Sequence, residues 1–173
     1  MKQTVLTPGK LLDAHGRLAQ AGYATSPVRS YDRGAIRAGR LRIKEWDYYL
    51  VYNESFGVAL TLADNAYMGL VSVSFLDFER GEEHTVSPMF LFPMGRTGLP
   101  AASDRGDVRK AMRGASLSFS HEEGGRRLVA QIDRFPDGQP FACDLLLFDE
   151  PQDSMVIATP FPEKSTAFYY NQK

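Results

Sequence analysis

Ala115-Ser116-Leu117-Ser118-Phe119-Ser120-His121-Glu122-Glu123-Gly124-Gly125-Arg126-Arg127-Leu128-Val129-Ala130-Gln131-Ile132 is the stretch that decides the fold class. Ala115, Leu117, Phe119 and His121 alternate with Ser116, Ser118 and Ser120, the period of a strand with one buried face. Glu122-Glu123-Gly124-Gly125 supplies turn residues, and Leu128, Ala130 and Ile132 resume the alternation. The stretch therefore predicts a β-hairpin.

The same pattern extends outward in both directions. Pro136-Asp137-Gly138 closes the hairpin and opens a strand over residues 141–148. Glu150-Pro151-Gln152-Asp153 reads as a turn into residues 155–158, and the chain ends on the aromatic run Phe168-Tyr169-Tyr170. On the other side, residues 93–106 form a Gly/Pro/Ser-rich loop, expected to lack regular structure and to move more than the strands. Residues 85–92 read as a strand demoted toward an edge or bulge by Pro88, which has no ladder donor. Residues 67–78, 58–63 and 45–52 complete the series, separated by Asp64-Asn65 and by Asn53-Glu54-Ser55-Phe56-Gly57.

In residues 45–52, Trp46, Tyr48, Leu50 and Tyr52 share one face, and Asp47, Tyr49 and Val51 share the other. Both faces are partly apolar. The aromatic face is expected to be the buried one, with Trp46 mostly covered and Trp46→Ala costing about 3–5 kcal/mol. Residues 1–44 read as an irregular N-terminal segment. Asp32 is an N-cap candidate for a short basic helix over 32–42, weakened by Gly34 and Gly39. Short strands with regular turns predict an all-β chain, an antiparallel meander forming a lipocalin-like barrel or a β-sandwich over residues 45–173.

Composition bounds the rest. A chain of 173 residues with 43% hydrophobic and 24% charged residues is long enough for one core, and its formal net charge of −1 recruits no polyanion globally. Its single cysteine, Cys143, has no internal disulfide partner and reads as a buried structural thiol. The N-terminus carries no secretory pattern, so a cytoplasmic location is expected. No apolar stretch approaches the roughly 20 residues of a spanning helix. No phosphate loop, dinucleotide fingerprint or nucleophile elbow is present. His15, His84 and His121 lie in separate contexts, so neither a metal nor a cofactor is expected.

Two groups of residues remain as candidates. Arg40 to Tyr49 interleaves cations, carboxylates and aromatics, but Glu45 and Asp47 offset the basic field that a nucleic-acid site needs. Cross-strand aromatic and ionic pairing accounts for the same residues structurally. Asp47 and Asp64 are the carboxylic acids that a pocket could use, and Trp46, Tyr48, Tyr52, Asn65 and Tyr67 are its candidate ligand-binding residues. An inward Asp would be held toward its neutral form and could act as an acid, whereas an outward one is a solvated turn residue. The pattern leaves Asp47 open and favours the turn reading for Asp64. His121 reads as a polar strand end.

The segments Leu11-Leu12-Asp13-Ala14-His15-Gly16-Arg17-Leu18, Arg42-Ile43-Lys44-Glu45-Trp46-Asp47-Tyr48-Tyr49, Ala63-Asp64-Asn65-Ala66-Tyr67-Met68-Gly69 and Ser154-Met155-Val156-Ile157-Ala158-Thr159-Pro160-Phe161 together resemble an uncharacterised bacterial family of unknown function. The resemblance covers nearly the whole chain. It implies that this chain is the N-terminal half of a longer protein. Separately, Phe168-Tyr169-Tyr170 is an aromatic strand-like segment that a following element would normally cover, so the chain alone is expected to self-associate or expose an apolar patch. The two-part β architecture is similar to lipocalin-like proteins of the carotenoid hydratase and AttH type, an analogy of fold that does not transfer function. The activity it would imply is acid-initiated hydration or cyclisation of an isoprenoid alkene, with Asp47 or Asp64 as proton donor. Three readings follow: a domain that binds a small apolar or amphipathic molecule, part of such an enzyme, or a scaffold without a ligand.

Overall fold

A computed structural model describes residues 3–148 and 153–172. In chain order the strands are β1 (Gly9–Lys10), β2 (Gly22–Ala24), β3 (Arg29–Ser30), β4 (Glu45–Tyr52), β5 (Phe56–Asp64), β6 (Met68–Asp77) and β7 (Glu82–Val86). They continue as β8 (Met89–Leu91), β9 (Val108–Met112), β10 (Ala115–Glu122), β11 (Gly125–Ile132), β12 (Phe141–Phe148), β13 (Val156–Pro160) and β14 (Phe168–Asn171). The chain divides into two compact units, one of Arg40–Leu99 and Asp107–Asp149, the other of Met1–Gly39, Pro100–Gly106 and Glu150–Lys173.

The larger unit is built from two antiparallel sheets. One runs β4-β5-β6-β7 with β8 also paired to β6, and the other runs β12-β11-β10-β9. Among the described residues neither sheet closes on itself, so of the two expected architectures the barrel is not formed. Val58, Leu60, Leu62, Val71 and Val73 from the first sheet and Leu117, Phe119, Leu128 and Ala130 from the second share one buried cluster, as in a sandwich. The deciding hairpin forms as expected, with Glu122 opposite Gly125 and Gly124 at φ +88° in the tight turn. Pro88 splits its stretch into β7 and β8, and its carbonyl accepts from the Val71 amide at 3.1 Å.

The face assigned to β4 is corrected. Trp46 is 46% exposed, and Tyr48, Leu50 and Tyr52 are exposed with it, while Tyr49 and Val51 pack on the core. Because both faces of β4 carry apolar side chains, its own alternation does not choose between them. Its register on β5 does. Tyr49 lies opposite Leu60, which lies opposite Val73, and those two aliphatic side chains are fully buried in central strands. Paired residues in a sheet share a face, so Tyr49 follows them inward and Trp46 turns out.

In the smaller unit, β13 pairs antiparallel with both β2 and β14, and β1 pairs parallel with β3. Leu6, Leu11, Leu12, Ala24, Val156 and Ala158 form its core, with Phe168 and Tyr170 packed against it. Tyr170 stacks on Tyr31 at 6.5 Å between ring centroids and its hydroxyl donates to the Arg29 carbonyl at 3.0 Å. Two of the three terminal aromatics are thus covered within the unit.

The helix expected over 32–42 shrinks to a 3-10 turn at Arg33–Ala35. Asp32 does cap it, accepting from the Gly34 amide at 2.8 Å, but Gly34 and Gly39 leave too few favourable residues to propagate a helix. The loop of residues 93–106 holds no strand, only an isolated bridge between Ala102 and Arg105. Residues 150–152 of the expected turn before β13 lie outside the described residues.

Candidate functional site

The inward face of the hairpin does not end in an apolar residue. Continuing Ile132, Ala130 and Leu128 back by two reaches Arg126, and continuing Ala115, Leu117 and Phe119 forward by two reaches His121, its cross-strand partner. Arg126 is only 3% exposed. A guanidinium so placed has lost most of its hydration and requires strong local acceptors.

Those acceptors come from both sheets of the larger unit. Arg126 Nε donates to the Tyr49 hydroxyl on β4 at 3.0 Å, and its carbon lies 5.8 Å from the Tyr49 ring centroid. Tyr49 in turn packs on Phe119 with ring centroids 4.6 Å apart, which fixes the phenol from the opposite sheet. Arg126 Nη1 also lies 2.5 Å from His121 Nδ1. Since an arginine only donates, this ring nitrogen accepts. Asp107, just before β9, accepts from the His121 amide at 2.8 Å, and its carboxylate is 3.5 Å from Nδ1. That amide, ahead of the nearby positive charge of Arg126, holds the Asp107 carboxyl below the ordinary carboxylate range.

Asp47 joins this group from β4, two residues before Tyr49 and on the same inward face. Burial raises its carboxyl above the ordinary value, and the positive charge of Arg126 partly offsets that. The interior of the sandwich therefore carries a carboxyl biased toward its neutral form, a phenol, an imidazole and a guanidinium. Chemically the set can donate hydrogen bonds to an oxygen-bearing group, and Asp47 can release a proton. No group of three His, Cys, Asp or Glu suited to a metal occurs among the described residues.

The other sequence candidates have different places. Asp64 is fully buried, yet its oxygens are occupied: Oδ1 accepts from the Ala66 amide at 3.0 Å, and Oδ2 accepts from the Gly95 amide and the Thr97 hydroxyl, both at 2.8 Å. It is a clamp that ties the β5–β6 turn to the loop after β8. Asn65 sits in that turn, half-buried, with its amide donating to the Met68 carbonyl at 2.8 Å. Trp46, Tyr48, Tyr52 and Tyr67 are exposed, and the three on β4 point away from the space between the sheets. Cys143 is half-buried on β12 with its thiol pushed up by burial, as suits an inert structural cysteine.

Over residues 2–173 the sequence matches the family described as Domain of unknown function (DUF2804). The chain belongs to that family. Searches of curated proteins and of solved structures found no match. In this DUF2804 chain the site residues that sequence reasoning passed over are Tyr49, Asp107 and Arg126. Only Arg126 left a signal, a charge on the core-facing period of an otherwise aliphatic strand. Tyr49 was hidden by the uncertain face of β4, and Asp107 by lying outside any strand.

Proposed function

We propose that the larger unit binds a small amphipathic molecule between its sheets, with the polar end of the ligand at Asp47, Tyr49, His121 and Arg126. The observation that carries this reading is the buried guanidinium of Arg126 beside a burial-raised carboxyl. An apolar side chain of similar volume would fill the same place without the several kcal/mol of desolvation that a buried ion costs. A polar handle inside an apolar sandwich suits a ligand with a hydrocarbon body and one oxygen-bearing group.

The raised carboxyl of Asp47 supports a second reading, acid-initiated hydration or cyclisation of an isoprenoid alkene. Asp47 would transfer its proton to the alkene, water or a second alkene of the same molecule would capture the cation, and the resulting oxonium or ring cation would return a proton to the Asp47 carboxylate. Native mass spectrometry of the full chain purified from its native host tests both readings. A retained small molecule, absent from Arg126→Met protein of unchanged fold, is the expected result, and a ligand-free wild-type protein refutes the first reading. Turnover of that molecule by wild type but not by Asp47→Asn would select the enzyme.

A further inference from the structure

We propose that the outer face of the β4-β5-β6-β8 sheet, at its Trp46 end, docks on the surface of a lipid bilayer containing anionic lipids. Three features meet there. The first is exposed apolar surface. Cross-strand register aligns exposed Trp46 and Met89 in one row with buried Ala63 and half-buried Leu70 between them, and half-buried Met68 with exposed Leu91 in the row beyond. Leu91 is 75% and Phe92 58% exposed, and Tyr67 and Met89 are exposed beside them.

The second is charge. Exposed Arg40, Arg42 and Lys44 lead directly into Trp46, and no ion pair among the described residues engages them. Arg96 adds its guanidinium at the backbone of the same rim, donating to the carbonyls of Phe92 and Pro93. The acids that offset these cations in the sequence, Glu45 and Asp47, belong to the opposite, inward face of β4. An acidic residue, Glu83, lies instead at the far end of the sheet, in one row with Tyr52, Gly57 and Leu76. The face is therefore polarised in charge, with its cations at the Trp46 end.

The third is the way the rim is held. Ala66, Phe92 and Met94 all adopt left-handed backbone, at φ 66°, 50° and 53°. For a residue as large as Phe92 this conformation is costly, and it is kept while the ring faces solvent. The Asp64 clamp and the hydrogen bonds from Phe92 N–H to the Tyr67 carbonyl and from Met94 N–H to the Ala66 carbonyl maintain it. Aliphatic and aromatic side chains ringed by cations match the headgroup boundary of an anionic bilayer. The aliphatic Leu70, Met89 and Leu91 do not suit a nucleic acid, whose bases stack on aromatic rings.

The test is flotation of the full chain with vesicles of phosphatidylcholine alone or with added phosphatidylglycerol. Fluorescence of Trp46, the single tryptophan of the chain, serves as a second readout. Binding is expected only with phosphatidylglycerol, weakening with salt, with a blue shift of Trp46 emission and quenching by brominated lipid. The R42E/K44E double variant, which changes exposed side chains only, should lower partitioning by at least about 25-fold, from about fivefold per basic residue. The L91S/F92N variant should lower it by about tenfold, and Asn tolerates the left-handed backbone at residue 92. Absence of vesicle binding overturns the proposal, as does undiminished binding by R42E/K44E. Binding to a single-stranded oligonucleotide with no binding to vesicles also overturns it.

Discussion

Replacing Asp64 by alanine is expected to destabilise the larger unit by about 4 kcal/mol. Asp64 accepts from the Ala66 amide, the Gly95 amide and the Thr97 hydroxyl. Hydrogen bonds to an ionised group contribute about 1.5–3 kcal/mol each, and a buried donor left without an acceptor carries its full desolvation cost. Ala66 is fully buried, so its amide accounts for about 2 kcal/mol. Gly95 and Thr97 lie in a partly exposed loop where water can replace the carboxylate, and about 1 kcal/mol each is assigned to them. Asp64→Asn keeps one acceptor oxygen but sets its NH2 group against a donor, so about 2 kcal/mol is expected. Urea unfolding followed by Trp46 fluorescence reads the change, with the midpoint shifting at constant slope. Release of the loop should also open Arg96 to trypsin, whereas in the wild type the cut after Arg105 comes first. A loss below about 1 kcal/mol for Asp64→Ala would refute the clamp.

Two further outcomes follow from the faces of β4. Trp46→Ala should cost only about 1 kcal/mol, while Tyr49→Ala, which removes the ring packed on Phe119 and an acceptor of Arg126, should cost about 3 kcal/mol. Circular dichroism during urea unfolding compares them, and the reverse order would return β4 to its opposite face. Because the Asp47 carboxyl is raised in the folded state, its bound proton stabilises the fold below the ordinary carboxylate value, and that contribution is lost as pH climbs through the raised value. Asp47→Asn should therefore gain melting temperature relative to wild type as pH rises from 4 to 7; a pH-independent difference would place Asp47 in solvent.

Much of the fold was readable because its strands carry their own signal. β10 alternates serines with apolar residues, β11 carries Leu128, Ala130 and Ile132 at every second position, and Gly124 marks the turn, so hairpin, register and buried face all follow from local pattern. β5 and β6 gave the same clarity through Leu60, Leu62, Val71 and Val73. The first 39 residues gave little, since two- and three-residue strands such as β1 and β2 are too short for periodicity to register. The site was less legible. Asp47 was named from its residue type, but Arg126 and Tyr49, which define its environment, stand 79 and 2 residues away in sequence and meet only across the sandwich.

By itself the sequence determined the all-β class and the positions of most strands and turns, because these depend on side-chain period and on turn residues within a few positions of one another, and its match over residues 2–173 gives the family. Only the tertiary structure decided which face of β4 is buried, since that strand is apolar on both sides and takes its orientation from Leu60 on the neighbouring strand. That one choice turned Asp47 toward Arg126 and the aromatic row of Trp46, Tyr48 and Tyr52 toward solvent. Likewise, Asp64 and Asn65 are adjacent turn residues in the sequence. Only the approach of Gly95 and Thr97 from a loop some thirty positions away makes the first of them a buried clamp.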